Sequence, residues 1–231
     1  MTGLPLIMVP GLGITAAVFD EVRALLPPGA DVRPVELPPS PHVDVMAERI
    51  LAAAPERFAL AGFSLGGYVA LAIMARAAAR VERLALLSTG PTADPPAAAT
   101  FRDKLIGLTQ AGKYDSVPGR LAPAMFHPAR KDDPALLARF TAMSRDCGPD
   151  NFVLHQRAAL ARPDRRWLLP EIKVPTLVVV GRDDLITPPA LSEGMAQQIP
   201  GATLVIIENC GHLAPLEQPA ALATALAAWL E

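Results

Sequence analysis

The chain has 231 residues, of which 51% are hydrophobic and 19% charged. That composition supports a large buried core and argues against disorder. A formal net charge of -2 gives no whole-protein attraction for nucleic acid or for an anionic membrane.

The opening residues, Met-Thr-Gly-Leu-Pro-Leu-Ile-Met-Val, carry no basic n-region. Their apolar run is too short and too broken by Pro and Gly for a signal peptide or a membrane span, so a cytoplasmic protein is expected. The run Pro5 to Val9 reads as a strand ending at Pro10-Gly11-Leu12-Gly13, and a helix follows from Thr15, taken as its N-cap, to Leu26. A second strand is expected over Asp31 to Glu36, then a Pro-rich loop, Leu37 to Pro41, then a helix from Val43 to Ala54. The apolar run Phe58 to Ala61 meets Gly62-Phe63-Ser64-Leu65-Gly66-Gly67 and an Ala-rich helical segment, Tyr68 to Ala79. Val81 to Ser88 is another buried strand, closed by Thr89-Gly90-Pro91. The order is βαβαβαβ, and crossover handedness makes it a mostly parallel, doubly wound sheet with helices on both faces.

From Pro91 to Pro170 the alternation stops. Helical stretches are expected over Ala97 to Gln110, Tyr114 to Met125, Pro134 to Arg145 and Phe152 to Ala161. Residues 91–170 are therefore taken as a helical cap inserted into a core formed by residues 1–90 and 171–231. Most apolar cap residues pack against each other or the core, and a few line a pocket; Met125, Phe126, Phe140 and Met143 are the candidates. The insertion has an excess of Arg and Lys and no Glu, which reads either as a solvated face or as a surface for an acidic partner. The alternation resumes with a strand over Pro175 to Val180, then Gly181-Arg182-Asp183-Asp184, a helix from Pro188 to Gln198, a strand from Thr203 to Ile207, Cys210-Gly211-His212, and a helix from Pro215 to Leu230.

Gly-x-Ser-x-Gly between a strand and a helix is the pattern of a nucleophile elbow, in which Gly62 and Gly66 let helix and strand approach. Alone it is equally compatible with a Gly/Ser turn without chemistry. Serine needs a base within hydrogen-bond reach and a third group that fixes the tautomer of that base. Loops that follow the strands of an open parallel sheet emerge at one edge, so Ser64, Asp184 and His212 are brought together in those roles. The elbow, the Gly-Arg-Asp-Asp-x-x-x-Pro turn and Cys-Gly-His occur in the order Ser, Asp, His, and over nearly its whole length the chain resembles the α/β-hydrolase superfamily, in particular its small capped serine esterases.

That resemblance implies an α/β-hydrolase fold and an acyl-enzyme at Ser64, with carboxylic ester hydrolysis as the leading activity. Lactone, thioester or carbon–carbon hydrolysis, a cofactor-free perhydrolase or haloperoxidase, and a non-catalytic ligand receptor remain as alternatives. The family pattern puts the acid three residues after Gly181, at Asp184, and leaves Asp183 to cap the turn. It also places the oxyanion donors at the backbone N–H groups of Leu65 and Leu12. The family's usual His-Gly is Pro10-Gly11 here, and its antiparallel edge is trimmed. His127 and His155 fall in the insertion, while the loop of His42 leaves the same sheet edge, so His42 is kept as a residue bordering the pocket. Cys147 and Cys210 have no metal-ligand spacing and read as reduced thiols. No metal and no cofactor are expected. The expected partner is a small-molecule ester, with no nucleic acid; a monomer and a homodimer are both open.

Overall fold

The apolar runs become strands β1 (Leu6–Val9), β2 (Val32–Pro34), β3 (Phe58–Phe63), β4 (Val81–Leu87), β5 (Thr176–Gly181) and β6 (Thr203–Ile207) in a computed structural model that describes residues 3–231. Met1 and Thr2, which belong to the stretch read as lacking a leader, lie outside the described residues. The strands form one sheet in the order β2-β1-β3-β4-β5-β6, and every pairing is parallel. Strand order reverses between β1 and β3, where the chain first moves outward to β2 and then returns to the other side. Loops leaving that switch point diverge, and the divergence opens a crevice at the carboxyl edge.

Alternate residues of each strand enter two different cores, as a pleated strand requires. Ile7, Val9, Leu84, Leu86 and Val178 face one layer, which contains α2 (Val43–Ala53), α3 (Leu65–Ala77) and α8 (Pro189–Gln198). Leu6, Met8, Ala85, Leu87, Leu177 and Val179 face the other, against α1 (Asp20–Leu25) and α10 (Pro219–Leu230). Between β4 and β5 the chain forms α4 (Pro96–Gln110), α5 (Val117–Met125), α6 (Pro134–Cys147) and α7 (Pro149–Leu160). Leu105, Tyr114, Val117 and Phe152 make a third cluster among these helices.

Several expected helices have other bounds, with α3 starting at Leu65 and α7 at Pro149, and three of the differences have a local reason. Thr15 makes no capping hydrogen bond; the Ala16 N–H donates instead to the Glu36 carboxylate at 3.0 and 3.1 Å, and a 3-10 turn over Ala16–Phe19 precedes α1. The segment Tyr114 to Met125 splits into a 3-10 turn, Tyr114–Ser116, and α5, because Pro118 occupies the first turn of a new helix. The last helix breaks at Gln218, whose φ of -139° and ψ of 53° reflect the steric bar that Pro219 places on a helical residue before it. The break leaves a short α9 (Ala214–Glu217) ahead of α10. Among the described residues no helix is long and apolar enough to cross a membrane.

Candidate active site

Val9 pairs with Gly62 across β1 and β3, so the turn after β1 and the turn after β3 begin side by side. At the second turn Ser64 has φ 53° and ψ -113°, a left-handed conformation that costs a non-glycine residue about 1–3 kcal/mol. The surroundings over-determine it. The Ser64 N–H donates to Leu87 O at 2.9 Å, and Thr89 Oγ1 donates to Ser64 O at 2.8 Å. Behind it α3 packs directly on the sheet: a Cβ at Gly66 would lie 2.1 Å from Val9 O, and one at Gly62 would lie 2.4 Å from Gly66 O. α3 is buried from Leu65 to Met74, which fixes the helix and hence the serine.

His212 follows β6 and is 1% exposed. Its N–H donates to Met125 O at 2.8 Å, so the loop is tied to the end of α5. A second tie comes from Glu217, whose side chain is fully buried and accepts from Gly211 N at 2.9 Å and from His127 N at 2.8 Å. Burial raises the Glu217 pKa above its ordinary value in spite of those hydrogen bonds. Sequence reasoning missed Glu217; its only signal is a lone acid within Ala-Pro-Leu-Glu-Gln-Pro.

Asp184 stands at the end of β5 and is 2% exposed. Its Oδ2 accepts from His212 Nδ1 at 2.9 Å and from Thr187 Oγ1 at 2.7 Å, and Oδ1 accepts from the N–H groups of Ile186 and Thr187 at 2.9 and 2.8 Å. Burial alone would raise its pKa, but the nearby His212 and the hydrogen bonds from His212 and Thr187 outweigh that and hold the carboxyl below its ordinary value. Because Nδ1 donates to Asp184, Nε2 is the acceptor side of the ring, and it lies 3.0 Å from Ser64 Oγ. The Phe63 ring packs 5.3 Å from the imidazole, centroid to centroid.

The turn is capped by Asp184 itself, which corrects the expected role of Asp183. Asp183 is partly exposed and sits 3.4 Å from His127 Nε2. One carboxylate can cap and orient because its two oxygens point in different directions. The structure also corrects His42, which precedes α2 and donates its N–H to Ser40 Oγ at 3.1 Å; it does not line the crevice. His155 does reach the first turn: its Nδ1 accepts from Gly13 N at 3.2 Å.

Above Ser64 is a cavity of about 680 Å³. Leu12, Ser64, Leu65 and His212 lie on its wall, along with the apolar side chains of Ile14, Phe63, Leu105, Leu121 and Phe152. The N–H groups of Leu12 and Leu65 have no hydrogen-bond partner among the described residues. Of the four pocket candidates, Met125 and Phe140 line the cavity. Phe126 and Met143 do not: Phe126 packs edge-on against Phe140 at 5.8 Å between centroids, and both belong to the core beneath. Leu185 and Ile186, 65% and 39% exposed, line the opening. Among the described residues no group of three or more His, Cys, Asp or Glu side chains is arranged to hold a metal ion.

A sequence model described as the alpha/beta hydrolase family matches residues 6–225. Among curated proteins, pimeloyl-acyl-carrier protein methyl ester esterase of Neisseria meningitidis is 29% identical over 219 residues, spanning 89% of this chain and 84% of the relative. Among solved structures, a thermophilic esterase from Thermogutta terrifontis superposes with a TM-score of 0.88 at 27% identity, covering 99% of this chain and 90% of that one. The enol-lactonase from Burkholderia xenovorans LB400 shares the fold, with a TM-score of 0.87 at 24% identity over 99% of this chain and 92% of its own.

Proposed function

The chain belongs to the alpha/beta hydrolase family, and from that premise we propose that it is a serine carboxylesterase acting on a small or medium ester through an acyl-enzyme at Ser64. The reading rests on one continuous line of hydrogen bonds, Asp184 Oδ2 to His212 Nδ1 at 2.9 Å and His212 Nε2 to Ser64 Oγ at 3.0 Å, opening onto the cavity. In the first step Ser64 Oγ attacks the ester carbonyl while His212 Nε2 takes its proton, and the ionised Asp184 stabilises the imidazolium that forms. The oxyanion is received by the Leu12 and Leu65 N–H groups, each contributing on the order of 3 kcal/mol to the transition state. His212 then gives the proton to the leaving alcohol oxygen as its bond to the acyl carbon breaks. Water, deprotonated by the same nitrogen, releases the acid and restores Ser64.

Residues 91–170 serve in this reading as a lid, since Met125, Phe140 and Phe152 from that stretch line the cavity. A volume of about 680 Å³ suits a small-molecule ester. A cytoplasmic setting is part of the same proposal, and the two unpaired, buried cysteines suit it.

The test is intact mass after brief exposure to a fluorophosphonate, with Ser64→Ala alongside, followed by p-nitrophenyl esters of increasing acyl length. One adduct on the wild type, none on the variant, and turnover lost with Ser64 or His212 is the expected result. An unlabelled Ser64 and no turnover would move the chain to the ligand-receptor class.

A further inference from the structure

Much of the cavity wall is apolar, but part of it is not. Asp94, Arg102, Gln156 and Arg162 all line it, and none belongs to the hydrogen-bonded line at Ser64. They come from the loop after β4, from α4, from α7 and from the residues just past α7. Asp94 Oδ2 accepts from Arg102 Nε, and Asp94 Oδ1 accepts from Arg162 Nη2 at 2.6 Å. Arg102 Nη1 donates to Gln156 Oε1 at 2.9 Å. The Arg162 guanidinium lies 4.1 Å from the centroid of the Tyr68 ring, one helical turn beyond Ser64 on α3. Arg162 thus packs on the helix that begins just after the serine.

Two features of this cluster are not explained by its internal contacts. The first is charge. Two guanidinium groups share one carboxylate, and the side chains of Asp94 and Arg162 are 5% and 7% exposed. Burial pulls the Asp94 pKa upward, yet the two arginines outweigh it and keep the carboxyl below its ordinary value. The cluster holds one positive charge in excess, and the other charged pair on the wall, Asp164 with Arg166, neutralises itself. The excess is nearest solvent at Arg102, whose side chain is 19% exposed, and a counter-charge arriving in the cavity there would be stabilised. The second feature is Gln156. It lines the cavity and is 1% exposed, its Oε1 accepts from Arg102, and its Nε2 makes no hydrogen bond among the described residues. An amide donor without a partner on a cavity-lining residue, beside a spare guanidinium N–H, is the donor set that a carboxylate takes.

We propose that Arg102 and Gln156, backed by Asp94 and Arg162, form a subsite for a carboxylate carried on the substrate away from the scissile ester, so that the preferred substrates are half-esters of dicarboxylic acids or esters of hydroxy acids. The proposal rests on the hydrolase reading above and narrows it. Asp94 and Arg162 also pin the loop after β4, since Arg162 donates to Thr92 O and Ala159 O at 2.8 and 2.7 Å. The informative variants are therefore at Arg102 and Gln156.

The experiment compares kcat/KM for methyl half-esters of dicarboxylic acids of about four to eight carbons with methyl esters of monocarboxylic acids of equal length, and acetyl esters of hydroxy acids with those of plain alcohols. Expected in at least one series is a preference of about ten-fold or more for the carboxylate-bearing ester, falling by a similar factor in Arg102→Met. Gln156→Glu, nearly isosteric and still able to accept from Arg102, presents a carboxylate to a carboxylate and lowers the preference as much or more. Rescue by Gln156→Asn, which retains an amide, is partial. Equal rates for charged and neutral esters at every length, or variants that depress both alike, would overturn the subsite while leaving the esterase standing. If no ester is turned over, calorimetry with glutarate against butyrate decides the subsite separately: tighter binding of glutarate, lost in Gln156→Glu, supports it, and equal binding overturns it.

Discussion

The backbone N–H of Gly13 donates to Nδ1 of His155 at 3.2 Å across 142 residues of sequence. Gly13 has φ +69°, and Phe152, one turn earlier on α7, packs so closely that a Cβ at Gly13 would sit 2.7 Å from its ring. α7 thus holds the turn that carries Leu12 from two points. Since Nδ1 accepts, the ring proton is on Nε2, which is buried without a partner.

Burial pushes the His155 pKa down to about 4 from an ordinary 6.5. The native state therefore refuses a proton that the unfolded chain binds. Stability from this source is complete above pH 6.5 and falls as pH drops toward 4, by about 3 kcal/mol in total. Urea unfolding across that window should show the wild type losing more stability than His155→Gln, whose side chain still accepts from Gly13. Parallel losses would mean that the imidazole does not stay neutral in the fold.

Adjacent aspartates should behave oppositely. Asp184→Asn loses the acceptor that orients His212, and kcat is expected to fall by about ten-thousand-fold. Asp183→Asn touches only the contact to His127, and kcat should stay within about two-fold. Steady-state kinetics on the pair decides the assignment, and a large effect at Asp183 would reverse it.

Gly66→Ala should fail at the level of the fold, because its Cβ meets the backbone carbonyls of Val9 at 2.1 Å and Pro10 at 2.7 Å rather than a flexible side chain. A loss on the order of 3 kcal/mol or more in thermal unfolding is expected, with activity lost in step. Gly107→Ala is the control: it lies within α4, its Cβ would meet nothing within 4 Å, and it should stabilise by up to about 1 kcal/mol.

Neither thiol should react in the native protein. Burial pushes Cys147 up to about 12, and Cys210 is raised further by burial and by Glu217 and Asp184 nearby. Iodoacetamide at about pH 8 should leave both unmodified by mass spectrometry, with two adducts after unfolding in urea.

Much of the core was legible because its signals are local. The strand Thr203–Ile207 has the bounds its β-branched run predicts, and the elbow is readable because backbone crowding around Ser64 demands glycine at fixed offsets. Helix ends were less legible wherever a partner distant in sequence supplies the cap, as Glu36 does for Ala16. The choice among cap residues was beyond the sequence: Met125 and Phe126 are neighbours, yet one lines the cavity and the other packs beneath it. Helical periodicity marks an apolar face without saying which of two apolar surroundings that face meets.

By itself the sequence determined the parallel α/β class and the strand-turn-helix at Ser64, since both follow from short-range sterics and from the hydrophobic period, while the choice of Asp184 as the acid came from resemblance to a family pattern. Only the tertiary structure decided that Asp184 caps its turn as well as facing His212, that His155 and Glu217 hold the turns on either side, and that Arg102, Gln156, Asp94 and Arg162 share one wall. Those relations join segments far apart in the chain, and no local preference encodes which of many polar side chains will meet once the helices between β4 and β5 pack over the carboxyl edge of the sheet.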